Sequence, residues 1–317
     1  MAEKVIRIGT RDSELALWQA HTVQKKLNDL GYKTEIVAVK STGDIILDKP
    51  LYEFGITGIF TKTLDVAMIN GDVDIAVHSM KDVPTALPIG IVQAAVLERA
   101  NALDILVHKG NLDFLGNLGT IATGSLRRQA QWLNKYPNHN VVDLRGNVNT
   151  RMQKLQDSEW NGAIFAAAGL ERINLKPALF EEKGENRNLT YIDLNWMIPA
   201  PAQGAMLVVA MANDDFCRQA LKELNDIDTE VCTHIERQFL KTLEGGCTAP
   251  IGALAVFAED DIVFKGVLFS LDGKQKIEVE KTVPMQEWKK LGFYCAQEVF
   301  ENGGVELMKT IKNNLKK

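Results

Sequence analysis

The chain has 317 residues, of which 46% are hydrophobic and 24% charged, and its net charge is −5 at pH 7. This composition is typical of a globular protein, and the length indicates two or three domains. The longest apolar run, 205–212, is shorter than the roughly 20 residues that cross a bilayer, and the N-terminus shows no apolar signal region. We therefore expect a cytoplasmic protein with no membrane partner.

The cysteines lie singly in the last third of the chain, at Cys217, Cys232, Cys247 and Cys295. This spacing disfavours a disulfide framework or a zinc site, so we predict no bound metal. Three of the cysteines fall in helical patterns and are expected to be buried small hydrophobic residues. Cys247 differs, because it follows two glycines and precedes a proline in the stretch EGGCTAP.

The first segment alternates strands with a helix, with strands predicted at 5–8, 34–39 and 74–78 and an amphipathic helix at 14–30. The strand at 74–78 is almost fully apolar, as in parallel sheets buried on both faces, and we expect His78 to end it. In open α/β sheets, ligands bind beside the carboxyl ends of the strands. The candidates at these ends are Arg11, Ser13, Ser79, Lys81 and Asp82.

The second segment repeats this construction, with strands at 119–122, 141–144 and 163–168 and a helix at 126–136 that Ser125 is predicted to cap. Arg127 and Arg128 occupy the first turn of that helix, where cations are unfavourable unless an anion binds nearby. Residues 120–175 carry a net charge of +3, and further arginines follow the later strands: Arg145, Arg151 and Arg172. The pattern predicts a cleft that binds a polyanion.

The domain organisation follows from two predicted crossings, at 98–104 and 195–203, and from a strand at 205–211 that rejoins the first sheet. The fold class is α/β, with two lobes that form a hinged cleft and a small C-terminal α+β domain. That last domain has a helical stretch at 215–243, strands near 253–258, 262–269 and 275–283, and helices at 286–315. We predict domain 1 at 1–99 and 200–214, domain 2 at 100–199, and domain 3 at 215–317.

Eight runs spread over nearly the whole chain carry a family resemblance: TRDSELALWQA, KSTGDIILDKPL, DIAVHSMKDVPT, GSLRRQAQ, LRGNVNTRMQKL, AAAGLERI, PAPAQGA and LEGGCTAPIGA. On these runs the sequence resembles the hydroxymethylbilane synthase family, also called porphobilinogen deaminase. The resemblance implies two lobes similar to type 2 periplasmic binding proteins. It also implies a transferase of tetrapyrrole biosynthesis that condenses four porphobilinogens, with loss of ammonia, onto a covalently bound dipyrromethane cofactor. Hydrolysis then releases the linear tetrapyrrole hydroxymethylbilane.

The resemblance implies roles for individual residues. Cys247 would hold the cofactor through a thioether, and Asp82 would be catalytic, because its carboxylate can stabilise positive charge and move protons. Positions that match cofactor contacts are Ser79, Lys81, Asp82, Thr123, Ser125, Arg127, Arg128, Arg145 and Gly146. Positions that match contacts of the substrate or growing chain are Arg11, Ser13, Phe60, Arg145, Arg151, Arg172 and Gln203. Each pyrrole carries an acetate and a propionate, which accounts for the need for arginines.

Two stretches depart from the family pattern. Residues 43–60, with three glycines, predict either a lid over the site or an ordinary surface loop, and Ile56-Thr57-Gly58 replaces the family's Gly-Lys-Gly. A contact assigned to that family lysine is therefore not carried over. Where the family often has Ile-Glu-x-Arg, this chain has Val208-Val209-Ala210-Met211, so both charges are absent together. Loss of both members of a pair predicts a structural substitution without loss of activity.

Other function classes share part of this pattern. A two-lobe small-anion-binding protein would use the same arginines, but it needs neither Cys247 nor Asp82. A nucleic-acid binder conflicts with the net acidity, and a cysteine hydrolase would need a base near Cys247, for which the five histidines show no diagnostic spacing. We therefore predict a monomeric synthase that acts on porphobilinogen and binds no nucleic acid.

Overall fold

The computed structural model describes residues 4–40, 61–176, 189–244 and 249–315. These residues fall into two compact units. The described residues of the first unit lie within 1–46, 56–100 and 204–231, and those of the second lie within 101–203 and 232–317. The chain enters the second unit after Ala100 and leaves it after Gln203. Both points lie within the predicted crossings, 98–104 and 195–203.

The strands, in chain order, are β1 (Val5–Arg11), β2 (Lys33–Val39), β3 (Ile75–Ser79), β4 (Ile91–Leu97), β5 (Asp104–His108), β6 (Thr120–Ala122), β7 (Asn140–Val142), β8 (Gly162–Ala166), β9 (Thr190–Asp193), β10 (Met206–Met211), β11 (Ile251–Ala258), β12 (Asp261–Phe269) and β13 (Lys276–Pro284). The α-helices are α1 (Glu14–Asp29), α2 (Lys62–Ile69), α3 (Leu126–Lys135), α4 (Val148–Asp157), α5 (Ala167–Arg172), α6 (Asp215–Lys222), α7 (Ile227–Thr242), α8 (Leu291–Val299) and α9 (Val305–Asn314).

The first unit contains a mixed sheet in the order β2-β1-β3-β10-β4. Strand β1 runs parallel to β2 and β3, whereas β10 is antiparallel to both of its neighbours, β3 and β4. This arrangement confirms the prediction that residues near 205–211 rejoin the first sheet. The apolar faces of α1 and α6 pack with the strands in one core that includes Ile8, Val23, Val208 and Leu221. Burial of each such side chain stabilises the fold by about 1.5–3 kcal/mol.

Helix α6 lies in the first unit, although the sequence placed residues 215–231 in a third domain. Its buried residues Cys217, Ala220 and Leu221 belong to the core of the first sheet. The amphipathic pattern of a helix indicates that it buries one face, but it does not name the sheet that the face covers. The division into three domains stays a prediction.

The second unit contains two sheets. One has the order β7-β6-β8-β5-β9, in which β6 is parallel to β7 and β8 while β5 is antiparallel to β8 and β9. The other is the antiparallel sheet β11-β12-β13, whose strands confirm those predicted near 253–258, 262–269 and 275–283. The fold class is therefore α/β with an α+β portion at the C-terminal end.

Helix α3 joins the two sheets of the second unit. Ala130 of α3 packs with Val267 and Phe269 of β12. Asn134 Nδ2 also donates a hydrogen bond to Gly273 O at 2.7 Å. Gly273 has φ +73, and a Cβ there would lie 2.4 Å from Ala130 O, so this contact requires glycine.

The cysteines Cys217, Cys232 and Cys295 are buried, as predicted. Burial raises the pKa of Cys217 and of Cys295 to about 12. Neither thiol is a nucleophile at neutral pH, because the thiolate is the reactive form. No helix of the described ranges is long and apolar enough to cross a membrane.

Of the two departures from the family pattern, the one at 208–211 lies among the described residues, in β10. Val208 and Val209 are 0% and 1% exposed, so this strand is buried on both faces. Val209 pairs with Ala76 on one side and with Gln93 on the other. Met211 lies two residues further on and is half-buried, so residues 209 and 211 point to the same face of the sheet.

We expect Val209→Glu to lower the free energy of unfolding by about 3–5 kcal/mol, because it buries a carboxylate without a counter-ion. The double variant Val209→Glu/Met211→Arg should recover most of this loss without a large gain in turnover. Urea denaturation and steady-state assays measure both effects, with Met211→Arg as the matched control. A double variant no more stable than Val209→Glu would contradict the pairing, and a large gain in turnover would contradict a purely structural substitution.

Candidate functional site

Two neighbouring strands of the first unit end at the same edge of its sheet. Arg11 is the last residue of β1 and Ser79 is the last residue of β3, and these strands are parallel neighbours. Ser13 follows β1 as the N-cap of α1, where its Oγ accepts a hydrogen bond from Ala16 N at 3.4 Å. The structure thus brings together the residues that the sequence placed at this edge.

A 3-10 turn, Met80–Asp82, follows β3 and carries Lys81 and Asp82. Its backbone is held at both ends, because Met80 N donates to Ala205 O at 3.1 Å and Val83 N donates to Met80 O at 3.2 Å. Lys81 and Asp82 are half-buried. Asp82 therefore lies on a well-anchored turn, and its catalytic role stays a prediction.

Gln19 was missed by the sequence reasoning. It lies on α1 and is 2% exposed, and its Nε2 donates a hydrogen bond to Ser79 Oγ at 2.9 Å. The sequence did contain a clue, because Gln19 falls on the face of α1 whose other buried residues are apolar. Buried polar side chains are nearly always hydrogen-bonded, so such a residue indicates a partner. Here the partner is one of the predicted site residues.

His78 is buried in β3, which ends at Ser79, one residue beyond the predicted end at His78. Burial lowers the pKa of His78 to about 4, and the nearby charge of Arg11 acts in the same direction. The imidazole is therefore neutral at neutral pH. It does not add a positive charge beside Arg11.

In the second unit, the N-terminus of α3 follows the parallel strand β6. Ser125 is the N-cap and its Oγ accepts a hydrogen bond from Arg128 N at 3.4 Å, which confirms the predicted cap. Ser125 N in turn donates to Thr123 Oγ1 at 3.2 Å. Thr123 N donates to Val142 O at 2.9 Å, so the turn is tied to the end of β7.

The side chains of Arg127 and Arg128 converge on Asp104, the first residue of β5. Arg127 Nη1 donates to Asp104 Oδ2 at 2.6 Å. Arg128 donates to Asp104 Oδ1 from Nε at 2.9 Å and from Nη2 at 2.7 Å. Gln203 Nε2 donates to the same Oδ1 at 3.0 Å and to Ala102 O at 2.7 Å. We call Asp104, Arg127, Arg128 and Gln203 the Asp104 cluster.

The Asp104 cluster is buried, with Asp104 and Gln203 0% exposed and Arg127 and Arg128 4% and 6% exposed. Burial alone would raise the pKa of Asp104. The charges of Arg127 and Arg128 and the hydrogen bonds from Arg127 and Gln203 outweigh it and hold that pKa well below its usual range. Asp104 is therefore ionised. Its single negative charge balances only one of the two guanidinium groups, so the cluster has a net charge of +1.

Backbone carbonyls satisfy other donors of the two arginines. Arg127 Nη1 donates to Ile198 O at 2.8 Å, and Arg128 Nη1 donates to Ile164 O at 2.9 Å. Arg127 Nε is buried and meets no hydrogen-bond partner among the described residues. The burial of Arg127 and the neighbouring charge of Arg128 lower the pKa of Arg127, against the attraction of Asp104. An additional anion would stabilise this guanidinium.

A second basic group is built from the turn after β7 and from α4. Arg145 is 6% exposed, and its Nε is buried without a partner in the part of the chain that the structure describes. Gly146 has φ +116 and a Cβ there would lie 2.8 Å from Thr150 Cγ2, so the turn requires glycine. Arg151 Nε donates to Gly146 O at 2.7 Å, which fixes the guanidinium beside this turn.

Arg172 is the last residue of α5, whereas the sequence predicted a strand at 163–168 with Arg172 just beyond it. The strand β8 ends at Ala166 and the helix follows at once. Burial lowers the pKa of Arg172 to about 10, and the charge of Glu171 partly opposes this shift. The guanidinium remains charged at neutral pH but is poorly hydrated.

Several predictions fall outside the described residues. They concern Phe60, the lid proposed at 43–60 with the Ile56-Thr57 departure, and Cys247. In the sequence, the described residues that flank Cys247 are Glu244 and Ala249.

Comparison with known protein families gives two matches. Residues 6–219 match the family described as "Porphobilinogen deaminase, dipyromethane cofactor binding domain". Residues 230–301 match the family described as "Porphobilinogen deaminase, C-terminal domain".

Two relatives are similar over almost their full length. A protein of Desulfitobacterium hafniense (strain DSM 10664 / DCB-2) named "Porphobilinogen deaminase" is 42% identical over 317 residues, covering 98% of this chain and 99% of the relative. One of Syntrophotalea carbinolica (strain DSM 2380 / NBRC 103641 / GraBd1) with the same name is 36% identical over 312 residues, covering 97% and 96%.

Solved structures similar to this chain are more distant. The VFT2 domain of Bordetella pertussis BvgS, a double mutant, has a TM-score of 0.41 at 11% identity, covering 71% of this chain and 89% of that domain. The L-cystine solute receptor of Neisseria gonorrhoeae, in its unliganded open conformation, has a TM-score of 0.40 at 10% identity, covering 70% and 86%.

The buried, neutral His78 predicts a pH dependence of stability. Its pKa is 6.5 without burial and about 4 in the folded chain. As pH falls, the unfolded chain binds this proton first, so stability is present above pH 6.5 and lost progressively toward pH 4. The loss from this group is at most about 3 kcal/mol. Asp104 does not contribute in this window, because its lowered pKa acts only below its ordinary value of 3.8.

Urea denaturation of wild type and His78→Gln between pH 7 and pH 4.5 measures this effect. We expect a smaller loss of stability per pH unit in the variant, although buried His108 contributes in both proteins. The matched control is His21→Gln, which changes an exposed histidine of α1 and should keep the wild-type slope. An unchanged slope in His78→Gln would contradict a neutral His78.

Proposed function

The chain belongs to the porphobilinogen deaminase family, and we propose that its two groups of charged residues divide carboxylate binding and proton transfer between them. The chain is a hydroxymethylbilane synthase, a transferase of tetrapyrrole biosynthesis that acts on porphobilinogen and uses a dipyrromethane cofactor. The observation that carries the division of roles is the surplus positive charge of the buried Asp104 cluster. Action as a monomer and location in the cytoplasm remain predictions.

The donor set of the second unit fits a dipyrromethane. When bound, this cofactor supplies the first pyrroles of the growing chain, and each pyrrole carries two carboxylates. Arg127 Nε and Arg145 Nε are buried donors without an acceptor among the described residues. Arginine binds carboxylates through strong charge-assisted hydrogen bonds. We assign carboxylate binding to Arg127, Arg128 and Arg145, supported by Thr123, Ser125 and the Gly146 turn, with Cys247 as the thioether anchor.

The remaining arginines bind carboxylates of incoming substrate and of the chain. Arg151 is oriented by its hydrogen bond to Gly146 O, which reduces the entropy lost when it binds. Arg172 is desolvated, and its lowered pKa means that an incoming carboxylate would stabilise its charged form. Arg11 presents a third guanidinium from the end of β1.

Asp82 moves protons and stabilises positive charge. Each condensation releases ammonia from the aminomethyl group of the substrate and removes one proton from a pyrrole carbon. A carboxylate can accept a hydrogen bond from a pyrrole N–H that becomes acidic as positive charge develops, and it can relay the proton. The anchored turn that carries Asp82 limits the reorganisation needed for this step. Ser79, Lys81 and Ser13 lie at the same edge and are assigned to binding.

A small-anion-binding protein would use the same arginines without chemistry. It would carry no covalent pyrrole adduct, and its function would not require Asp82. The two possibilities are therefore separated by the mass of the purified chain.

Intact mass spectrometry should show the wild-type chain with an adduct of two linked pyrroles, and peptide mapping should place it on Cys247. Cys247→Ser is expected to lack the adduct and to be inactive, because a hydroxyl is a poorer nucleophile than a thiol. The matched control is Cys295→Ala, which removes a buried thiol and should keep both adduct and activity. Active wild-type enzyme with unmodified Cys247 would overturn the proposal.

Arg172→Gln should lower kcat/KM by about 10- to 100-fold, as expected for loss of one charge-assisted hydrogen bond of 1.5–3 kcal/mol. Mass spectrometry after limited turnover should reveal discrete, partly elongated chains. Arg218→Gln is the control, because Arg218 is an exposed arginine that pairs with Asp215. Unfolding of Arg172→Gln without any accumulated intermediate would contradict a binding role for Arg172.

A further inference from the structure

We propose that Asp104 is a positioning residue that holds Arg127 and Arg128 for one cofactor carboxylate and sets the charge of that subsite. This inference rests on the proposed function, because it takes the carboxylate to belong to the dipyrromethane. Asp104 would not touch the cofactor itself. It would act through the two arginines.

The geometry of the Asp104 cluster supports a positioning role. Both oxygens of Asp104 are used, one by Arg127 and the other by the Nε and Nη2 atoms of Arg128. Contact through Nε and Nη2 fixes the plane of the Arg128 guanidinium as well as its distance. Gln203 fixes Oδ1 in turn and is itself held by Ala102 O. The orientation of both arginines therefore depends on one carboxylate.

The charges of the cluster define what it can accept. One carboxylate compensates one guanidinium, so a single positive charge remains buried with no described counter-ion. A single further carboxylate would neutralise the cluster. Without Asp104 the two guanidinium groups would repel each other in a site of low dielectric constant.

The cluster also has a donor for such a ligand. Arg127 uses Nη1 for both Asp104 and Ile198 O, which leaves its buried Nε without an acceptor among residues that the structure describes. A cluster that served stability alone would be expected to satisfy its buried donors, because an unsatisfied one is costly. It would also be expected to balance its charges. Both departures point to a carboxylate that binds at Arg127.

The test variant is Asp104→Asn, which keeps the shape and one acceptor oxygen but removes the negative charge. We expect the fraction of purified chains that carry the two-pyrrole adduct to fall by about tenfold or more, as for loss of a buried charge partner. The matched control is Glu236→Gln. Glu236 is another fully buried carboxylate of the second unit, and it accepts hydrogen bonds from Ala202 N at 2.6 Å and Ala255 N at 2.8 Å.

Glu236→Gln should lower the melting temperature but keep the adduct, which separates positioning from stability. Sodium acetate provides a second readout, because it should raise the melting temperature of Asp104→Asn more than that of Glu236→Gln. A cluster that no added carboxylate can enter predicts equal responses to acetate. A folded Asp104→Asn variant with wild-type adduct content would overturn the inference.

If Asp104→Asn does not fold, Asp104→Glu decides, because it keeps the charge and moves it by one methylene. We expect a folded protein that acquires the adduct more slowly than Glu236→Gln, and equal rates would overturn the inference. The adduct content of the wild-type chain distinguishes failure of the proposed function from failure of the inference about Asp104. An unmodified wild-type chain refutes the proposed function, whereas modified wild type and fully modified Asp104→Asn refute only the role of Asp104.

Discussion

The carboxylate of Asp104 joins parts of the second unit that are distant in sequence. It binds the first turn of α3 through Arg127 and Arg128, and it binds the end of the 195–203 stretch through Gln203. The same stretch is held by Gln131, whose amide exchanges two hydrogen bonds of 2.8 Å with the backbone of Ile198. Helix α3 also packs on β12 through Ala130. A change at Asp104 would therefore affect the helix, the connecting stretch and the adjoining sheet.

Because the ion pairs of Asp104 with Arg127 and Arg128 are buried, loss of either partner would be costly. A buried ion pair contributes little net stability, because desolvation offsets most of the attraction, but removal of one member is costly. The cluster also buries a second arginine that Asp104 cannot compensate alone. Such an excess of charge is a poor arrangement for stability and a good one for a ligand that brings a carboxylate. Part of the ligand-binding free energy would then offset the cost of keeping Arg127 desolvated.

Much of the fold could be predicted from the sequence, because it depends on local patterns. The apolar strand at 74–78, the Ser125 cap and the three strands of the last sheet each follow from periodicity or from turn residues. Gln19 and Asp104 could not be predicted in the same way. Their partners, Ser79 and Arg128, lie 60 and 24 residues away, and spacing alone does not name a long-range hydrogen-bond partner.

The two arginines at the start of α3 were correctly predicted to need an anion, but part of that anion comes from the protein itself. Two cations at the positive end of a helix require an anion nearby. From the sequence alone, we expected this anion to be a bound ligand. The structure supplies one anion from the protein itself, since Asp104 contacts both guanidinium groups. One negative charge cannot balance two positive charges, so the argument still applies to the remainder. The arginines are best understood as half of a binding site whose other half must arrive with the cofactor.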